Sequence, residues 1–493
     1  MSPLQLSVYW RLSLIFIFTS FLFFLDIFTA AIVTATCRHG NTSHGTLVPN
    51  SGTNQSWPER TKRGNQDSVC SWTDWLSYGQ TLFMVGLLLG SLFGGAICDR
   101  FGKRPVLLLG VCMHTMCGLV PAVLPQPLLF LAVRCLTGIC CCFINICSFS
   151  LAVEWTRPAA RLWSSALLPF CFSLGMMGGA PLAWLSPTWR QLHLSLSLPQ
   201  LICLPLFFSI PESPQWLLLK QRTDVLDVYR SNSPADEQCL DVLLESAWSD
   251  LQKTTAGHTQ EEPPAGHTPN GIIHQLRHPT ILLRLTIMSY LSVATALTYY
   301  GICMNIGSFG VGVYSAQFFS GITETPCLLV PLVRLGRRPM SMLSLFLSGA
   351  ACFLSFLLSR YNCEPVLVMS LALLGKLCIG AAIFISILYS IELFPTVVRQ
   401  RCLSLVNLCY RIGSLVNTFV SPNPNGAISL AAMVIYSSGP IIGCGLCVLL
   451  PETSGVTLPD SIEDCDRQPR PRPLSIVDLW RTRNKFPDRE DTS

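Results

Sequence analysis

The sequence predicts an all-α membrane protein of twelve transmembrane helices, arranged as two pseudo-symmetric six-helix halves. Three observations carry that prediction. Of the 493 residues, 50% are hydrophobic and only 12% are charged, whereas soluble domains carry about 25% charged residues. The apolar residues fall in blocks of about 20, the length that crosses a bilayer. Basic residues collect in every second short loop, as they do on the cytoplasmic side of membrane proteins.

The apolar blocks cover 12–36, 75–97, 105–124, 128–153, 162–185 and 193–210, then 282–304, 309–333, 339–358, 366–391, 402–420 and 428–450. The first is too long for a cleaved signal peptide, and Arg11 opens it late. The organisation is then a half at 1–210, a linker at 211–280, a second half at 281–450 and a tail at 451–493. Arg100, Lys103, Arg104, Arg157 and Arg161 lie in one set of short loops, matched later by Arg334, Arg337, Arg338, Arg399 and Arg401. The opposite loops hold Arg190 and Arg360. Both termini are therefore expected in the cytoplasm, with the long loop 37–74 outside. That loop carries two glycosylation acceptors, Asn41-Thr42-Ser43 and Asn54-Gln55-Ser56. Cys37 and Cys70 flank it and suit a disulfide there.

The linker is rich in Pro, His and Glu, with short helices expected around 224–230 and 240–251. The tail is charged and Pro-rich, as in Pro469-Arg470-Pro471-Arg472-Pro473, and reads as disordered. Most of the 23 cysteines lie in apolar blocks, where Cys behaves as a small hydrophobe. Cys444-x-x-Cys447 sits inside such a block without further ligands, so no metal site is expected. No nucleophile with its base and no phosphate loop is present, which argues against an enzyme and implies no cofactor. The glycine-rich stretch 175–179 lies in a span and suits helix packing. A net charge of +5 is too small to suggest a nucleic-acid partner.

Two loops repeat. Asp99-Arg100-Phe101-Gly102-Lys103-Arg104 follows the second span, and Arg334-Leu335-Gly336-Arg337-Arg338 follows the eighth, with Val333 in place of the Asp. These and three further stretches resemble the major facilitator superfamily, and within it solute carrier family 22, the organic cation, anion and zwitterion transporters. The stretches are Phe83-Met84-Val85-Gly86 through Pro105; Val153-Glu154-Trp155 with Arg161; Pro211-Glu212-Ser213-Pro214-Gln215-Trp216; and Glu392-Leu393-Phe394-Pro395-Thr396-Val397-Val398-Arg399. The match runs from about 29 to 460. The family's usual opening before the first span is missing, the outer loop is short, and Gln215 stands where Arg is commoner. The resemblance implies an inner gate in which Asp99, Glu154, Glu212 and Glu392 meet Arg100, Arg104, Arg161, Arg399 and Arg401. The alternative is a solvated rim that only fixes topology.

Charges inside the spans point to a substrate site, because an ionised group at mid-bilayer faces a cavity or a partner. Lys376 lies ten residues into 366–391, Arg411 nine into 402–420 and Glu324 fifteen into 309–333. At about 1.5 Å per residue all three reach mid-depth, where carriers of this kind bind substrate. Two cations favour an anion; Glu324 either neutralises one of them or serves a cation. Arg134 and Asp26, nearer the outer half, suit structural pairing. The resemblance adds that Arg411 falls where anion carriers have Arg and cation carriers Asp. Lys376 falls at a basic position found across the family, and Leu328 where anion carriers often add Lys. Phe170, Phe172, Tyr299 and Tyr300 match cavity aromatics, while Ile383 and Ile387 replace Phe. The expected function is alternating-access transport of small organic ions, foremost organic anions, at the plasma membrane. A cation or zwitterion carrier using Glu324, and a receptor or scaffold on the same fold, are the alternatives.

Overall fold

The architecture is given by a computed structural model. It describes residues 2–44, 73–124, 126–157, 161–231, 234–259, 278–309, 311–326, 336–361, 363–420, 430–453, 459 and 465. Among them are sixteen α-helices. In order they are α1 (Pro3–Phe23), α2 (Leu25–His44), α3 (Thr73–Phe101), α4 (Lys103–Val123), α5 (Pro127–Glu154), α6 (Arg161–Trp184), α7 (Trp189–Phe207), α8 (Pro214–Leu219), α9 (Thr223–Ser231) and α10 (Pro234–Thr259). Then come α11 (Pro279–Met304), α12 (Val313–Glu324), α13 (Arg337–Arg360), α14 (Pro365–Leu393), α15 (Thr396–Val420) and α16 (Leu430–Cys447). Nine stretches of the described helices are long and apolar enough to cross a membrane, the first being Pro3–Cys37.

The chain divides into two units. The first takes residues 1–255 and 312–322, and the second takes 256–311, 323–421 and 427–493. In the first, α1 packs on α6 and α7, α5 on α3 and α4, and α4 on α7. In the second, α11 packs on α15 and α16, α14 on α13, and α13 on α16. Counted from the first span of each unit, the four pairings of the second list all recur in the first, which adds the α3–α5 pairing, so the two halves share most of one packing plan.

Local chemistry explains the main turns. Ser2 and Gln5 form a capping box that starts α1, with Pro3 in its first turn, nine residues before the expected span. Arg11 lies within that helix and donates to the carbonyl of Ser209 at 2.7 Å. The span breaks at Phe24 without Pro or Gly. Arg134 donates to the Leu22 carbonyl at 3.0 Å, taking the acceptor that the next helical turn would use; a side chain inserted into the helical ladder is a standard cause of a kink. Gly102 turns the chain between α3 and α4 at φ +96°, a conformation that penalises any Cβ. Gly86 and Gly138 let α3 and α5 meet backbone to backbone: a Cβ on Gly138 would fall 2.2 Å from the Phe83 carbonyl oxygen.

The linker is more ordered than its composition suggests. Helices α8, α9 and α10 bury Leu217, Leu226, Leu240, Leu243 and Leu244 in the core that also holds Val8, Leu12 and Trp155. The apolar residues of α10 recur at helical spacing and cover the end of the first unit, and Asp236 accepts the Leu4 N–H at 3.1 Å. The expected helix at 240–251 is thus the middle of a 26-residue one. The tail is also partly packed. Cys465 is 1% exposed in the second unit's core, where its carbonyl accepts from Arg284 at 2.9 Å.

Candidate functional site

Each unit carries a clamp at a helix start, that of α4 in the first unit and that of α13 in the second. In the first unit the Glu212 carboxylate accepts the backbone N–H of Lys103 and of Arg104, each at 3.1 Å, and that of Ser213 at 2.9 Å. These are unpaired donors at the start of α4, where helix termini favour an anion. Lys103 pairs with Glu154, which also accepts from the Ser213 hydroxyl. Arg104 donates to the Phe208 carbonyl at 2.7 Å, and the Trp216 indole donates to the Asp99 carbonyl at 3.1 Å.

The second unit repeats this arrangement. Glu452 accepts the N–H of Arg337 at 2.8 Å, of Arg338 at 3.1 Å and of Thr453 at 3.1 Å. Arg337 donates to Glu392 at 3.2 Å, and the Thr453 hydroxyl donates to the other Glu392 oxygen at 2.6 Å. Arg338 donates to the Val448 carbonyl at 2.7 Å, in the role Arg104 has in the first unit.

Deep in the spans the two units diverge. In the first, Arg134 is 1% exposed. It donates to Asp26 at 2.5 and 3.1 Å and lies 4.6 Å over the Phe83 ring. In the second, Lys376 is fully buried and pairs with Glu324 at 2.8 Å. Tyr299 donates to Glu324 at 2.6 Å, and its ring lies 5.4 Å from the Lys376 ammonium. Tyr300 meets Tyr299 edge-on at 5.3 Å, and Tyr410 lies 6.3 Å from Tyr300. The Arg411 guanidinium stands 6.0 Å from the Tyr410 ring. Tyr299, Tyr300 and Tyr410 thus form a run of ring contacts leading from the Lys376–Glu324 pair to α15, the helix that carries Arg411.

The setting of Arg411 follows from α15, whose three faces differ. Gly413 closes on Val293 and Ala296 of α11, with the buried Cys402, Val406 and Asn417 on the same side. Leu405, Ile412, Val416 and Phe419 form an exposed apolar stripe. Gln400, Ser404, Asn407, Arg411, Ser414 and Thr418 recur every three or four residues and form a polar stripe on the remaining side. The guanidinium thus belongs to a polar row and not to the apolar one. Ser414 and Thr418 satisfy their hydroxyls on backbone carbonyls of the same helix, at 2.7 and 2.8 Å.

Residues 73–418 match the Major Facilitator Superfamily. Solute carrier family 22 member 13 of Homo sapiens is 32% identical over 402 residues, covering 80% of this chain and 70% of that protein. The chain belongs to solute carrier family 22 of the Major Facilitator Superfamily. Organic anion transporter 3 of Oryctolagus cuniculus is 29% identical over 413 residues, covering 81% and 73%. Among solved structures, the xylose transporter XylE from E. coli in a partially occluded inward-open conformation superposes with a TM-score of 0.66. It is 15% identical and covers 93% of this chain and all of XylE. The protein is accordingly a multi-pass membrane protein with the major facilitator fold.

Within that fold, the expected residues fall into three groups. Glu154, Glu212 and Glu392 sit at the centre of the two clamps. Asp99 and Arg100 are exposed, Arg100 lying 5.4 Å over Phe101, and Arg399 donates to the Phe394 carbonyl at 3.0 Å. The Arg161 side chain, Asn54, Cys70 and Leu328 lie outside the described residues, as does the side chain of Asn41 in α2. Cys37 is disulfide-bonded. Tyr299, Tyr300, Glu324, Lys376 and Arg411 all lie in the second unit; Phe170 and Phe172 belong to the first, packed on its core, with Phe172 5.4 Å from Phe23.

Several clamp members were not among the expected residues: Lys103, Ser213, Arg337, Glu452 and Thr453. A signal for them is present in the family pattern. Pro211-Glu212-Ser213 at the end of the first half repeats as Pro451-Glu452-Thr453 at the end of the second. Gly102-Lys103-Arg104-Pro105 likewise repeats as Gly336-Arg337-Arg338-Pro339. Among the described residues, no group of three or more His, Cys, Asp or Glu is placed to hold a metal.

Proposed function

We propose that this family 22 member is a carrier, not an enzyme, and moves small organic anions across the plasma membrane by alternating access. Residues 1–210 and 281–450 act as the two rocking halves, joined by the linker 211–280 and followed by the tail 451–493. The observation that carries the anionic reading is Arg411 in the polar stripe of α15 at mid-depth. A permanent cation there is costly in lipid and favourable beside a carboxylate. The name of the related organic anion transporter 3 supports the same direction.

Each residue then has a role. Arg411 attracts the substrate anion, and Tyr299, Tyr300, Phe170 and Phe172 supply aromatic surface for a flat organic body. Lys376 and Glu324 set the charge of the region. With both termini cytoplasmic, the two clamps lie at the inner surface, where Lys103–Glu154 and Arg337–Glu392 hold the inner gate and part as the halves rock. Asn41 and Asn54 then lie outside as glycan acceptors, and Cys37 with Cys70 staples their loop.

The test is uptake of labelled organic anions into cells or proteoliposomes. Arg411→Asp is expected to abolish uptake, by at least about 50-fold, while protein at the cell surface stays within twofold. Undiminished uptake in that variant would remove Arg411 from the substrate path.

A further inference from the structure

We propose that the first unit binds an anionic phospholipid, its headgroup seated on Arg11 and Arg104 at the end of α7. The inference goes beyond the transport reading and holds for any cargo. Helix α7 ends at Phe207, and a helix end leaves carbonyls without helical donors. Two arginines from different helices supply donors there. Arg11 of α1 bonds the Ser209 carbonyl and Arg104 of α4 bonds the Phe208 carbonyl, each at 2.7 Å. The two guanidiniums therefore stand on adjacent carbonyls, and like charges brought so close favour an anion between them. Neither is ion-paired among the described residues, and the Nε of each is buried without a hydrogen-bond partner. Glu212 meets the backbone N–H of Arg104 and not its guanidinium. A guanidinium carries more donors than the one carbonyl bond uses, and its fork suits a phosphate.

The surroundings point to a lipid as the source of that phosphate. Both α1 and α4 pack on α7. Leu109, Met113 and Met116 on α4, and Leu198, Ile202 and Leu206 on α7, are exposed and recur every three or four residues. On helices of a membrane fold such stripes lie against acyl chains, and the α7 stripe leads to the two carbonyls. Trp10 is 40% exposed with Arg11 5.3 Å over its ring, and Phe208 is also exposed. Aromatic residues of this kind mark the headgroup level, and basic pockets between membrane helices take charged headgroups. The second unit has no such pair among its described residues. Its counterpart of Arg104, Arg338, bonds the Val448 carbonyl but is 5% exposed, and Arg284 of α11 turns inward to the Leu393 and Cys465 carbonyls. The bound lipid would thus tie α1 to α4 in one half alone.

The test uses the whole protein in nanodiscs of phosphatidylcholine with a rising fraction of phosphatidylserine, the retained lipid being counted by native mass spectrometry. Phosphatidylserine is expected to stay bound and phosphatidylcholine to be lost. A basic residue at the membrane surface contributes a factor of about five in binding, so Arg11→Gln should raise the half-filling fraction about fivefold, and Arg11→Gln with Arg104→Gln should raise it further. Arg11→Lys keeps the charge and should restore most of the binding. Arg100 is exposed in the same loop as Arg104 but outside the site, so Arg100→Gln should bind as the natural protein does. Because Arg104 also lies beside the clamp and its loss can destabilise the fold, Arg11→Gln alone decides the matter.

Retention of phosphatidylcholine as firmly as phosphatidylserine overturns the inference, as does an Arg11→Gln protein that fills as readily as the natural one. Equal loss of lipid in Arg100→Gln also overturns it, since general surface charge would then be the cause. Soluble glycerophosphoserine, offered at the concentration of the lipid, should displace nothing; displacement would assign the two arginines to a soluble anion and remove the lipid.

Discussion

The two halves share their clamps and differ in their depths. At the clamps the main parts have counterparts: Glu212 and Glu452 cap a helix start, Lys103–Glu154 matches Arg337–Glu392, and Ser213 matches Thr453. Within its spans the first half pairs its charges with each other, Arg134 being held by Asp26 and by the Leu22 carbonyl. The second half closes one cation with Glu324 and sets another, Arg411, in a polar row. Features present in both copies serve the packing plan that both copies share. Features present in one copy are free to serve a substrate. The first half's pair is the exception, because Arg134 also holds the Leu22 carbonyl at the Phe24 kink, so breaking it should harm the fold, whereas breaking the second half's charges should change what is carried.

The largest expected effect therefore lies in the first half. Asp26→Ala would strand a guanidinium that is 1% exposed and would free the anchor of the kink at Phe24. Removing one partner of a buried pair costs about 3–5 kcal/mol. Loss of surface expression and a thermal midpoint in detergent lowered beyond that of any clamp variant are the expected results. A variant that reaches the membrane with normal stability and altered selectivity would erase the contrast between the halves, because Asp26 would then belong to substrate handling.

Much of this contrast was legible in the residues, though unevenly. The span blocks stood out because a bilayer demands long apolar runs, and the paired loops stood out because Gly and basic residues repeat at the same place in each half. Pairing of Arg134 with Asp26 was legible too, since a membrane charge needs a partner and few were on offer. The second clamp was harder to see. Glu452 lies at the boundary between a span and a Pro-rich tail, where it reads as the first charge of a disordered segment unless Pro451-Glu452-Thr453 is set against Pro211-Glu212-Ser213; its contact with the Arg337 and Arg338 N–H groups gives its role. The linker misled in the same way, because Leu240, Leu243 and Leu244 are diluted by acidic neighbours and declare themselves only once α10 is laid against α1 and α5. Choosing between Lys376 and Arg411 as partner for Glu324 was beyond the sequence, since both stand at a similar depth and the choice depends on how α12 is turned.

A middle-sized effect compares the clamps directly. Glu212→Gln and Glu452→Gln each keep the shape of the side chain and remove the charge that caps a helix start. Hydrogen bonds to a charged group are worth about 1.5–3 kcal/mol, and helix-end charge adds up to about 1 kcal/mol. Since the two carboxylates accept the same three kinds of N–H, the two variants should lower the thermal midpoint by similar amounts, within about 1 kcal/mol of each other. A clear fall in only one of them would mean that the copies, though alike in geometry, do not share the load.

The smallest effect falls on Arg100, a basic residue that both repeated loops carry, as Arg100 and Arg334, beside the clamp residues. Arg100 is exposed and covers the Phe101 ring at 5.4 Å, while the clamp beside it is built from Lys103 and backbone groups. Exposed side chains of this kind change stability by no more than about 0.5 kcal/mol. Arg100→Ala should therefore leave the thermal midpoint and surface expression unchanged, and its effect on uptake then reports gating alone. If uptake falls severalfold at normal stability, Arg100 engages in a state of the cycle other than the one seen here, and the inner gate extends beyond the two clamps. If uptake also stays the same, the basic residues of this loop fix orientation in the membrane, and gating rests on Lys103, Glu154, Arg337 and Glu392.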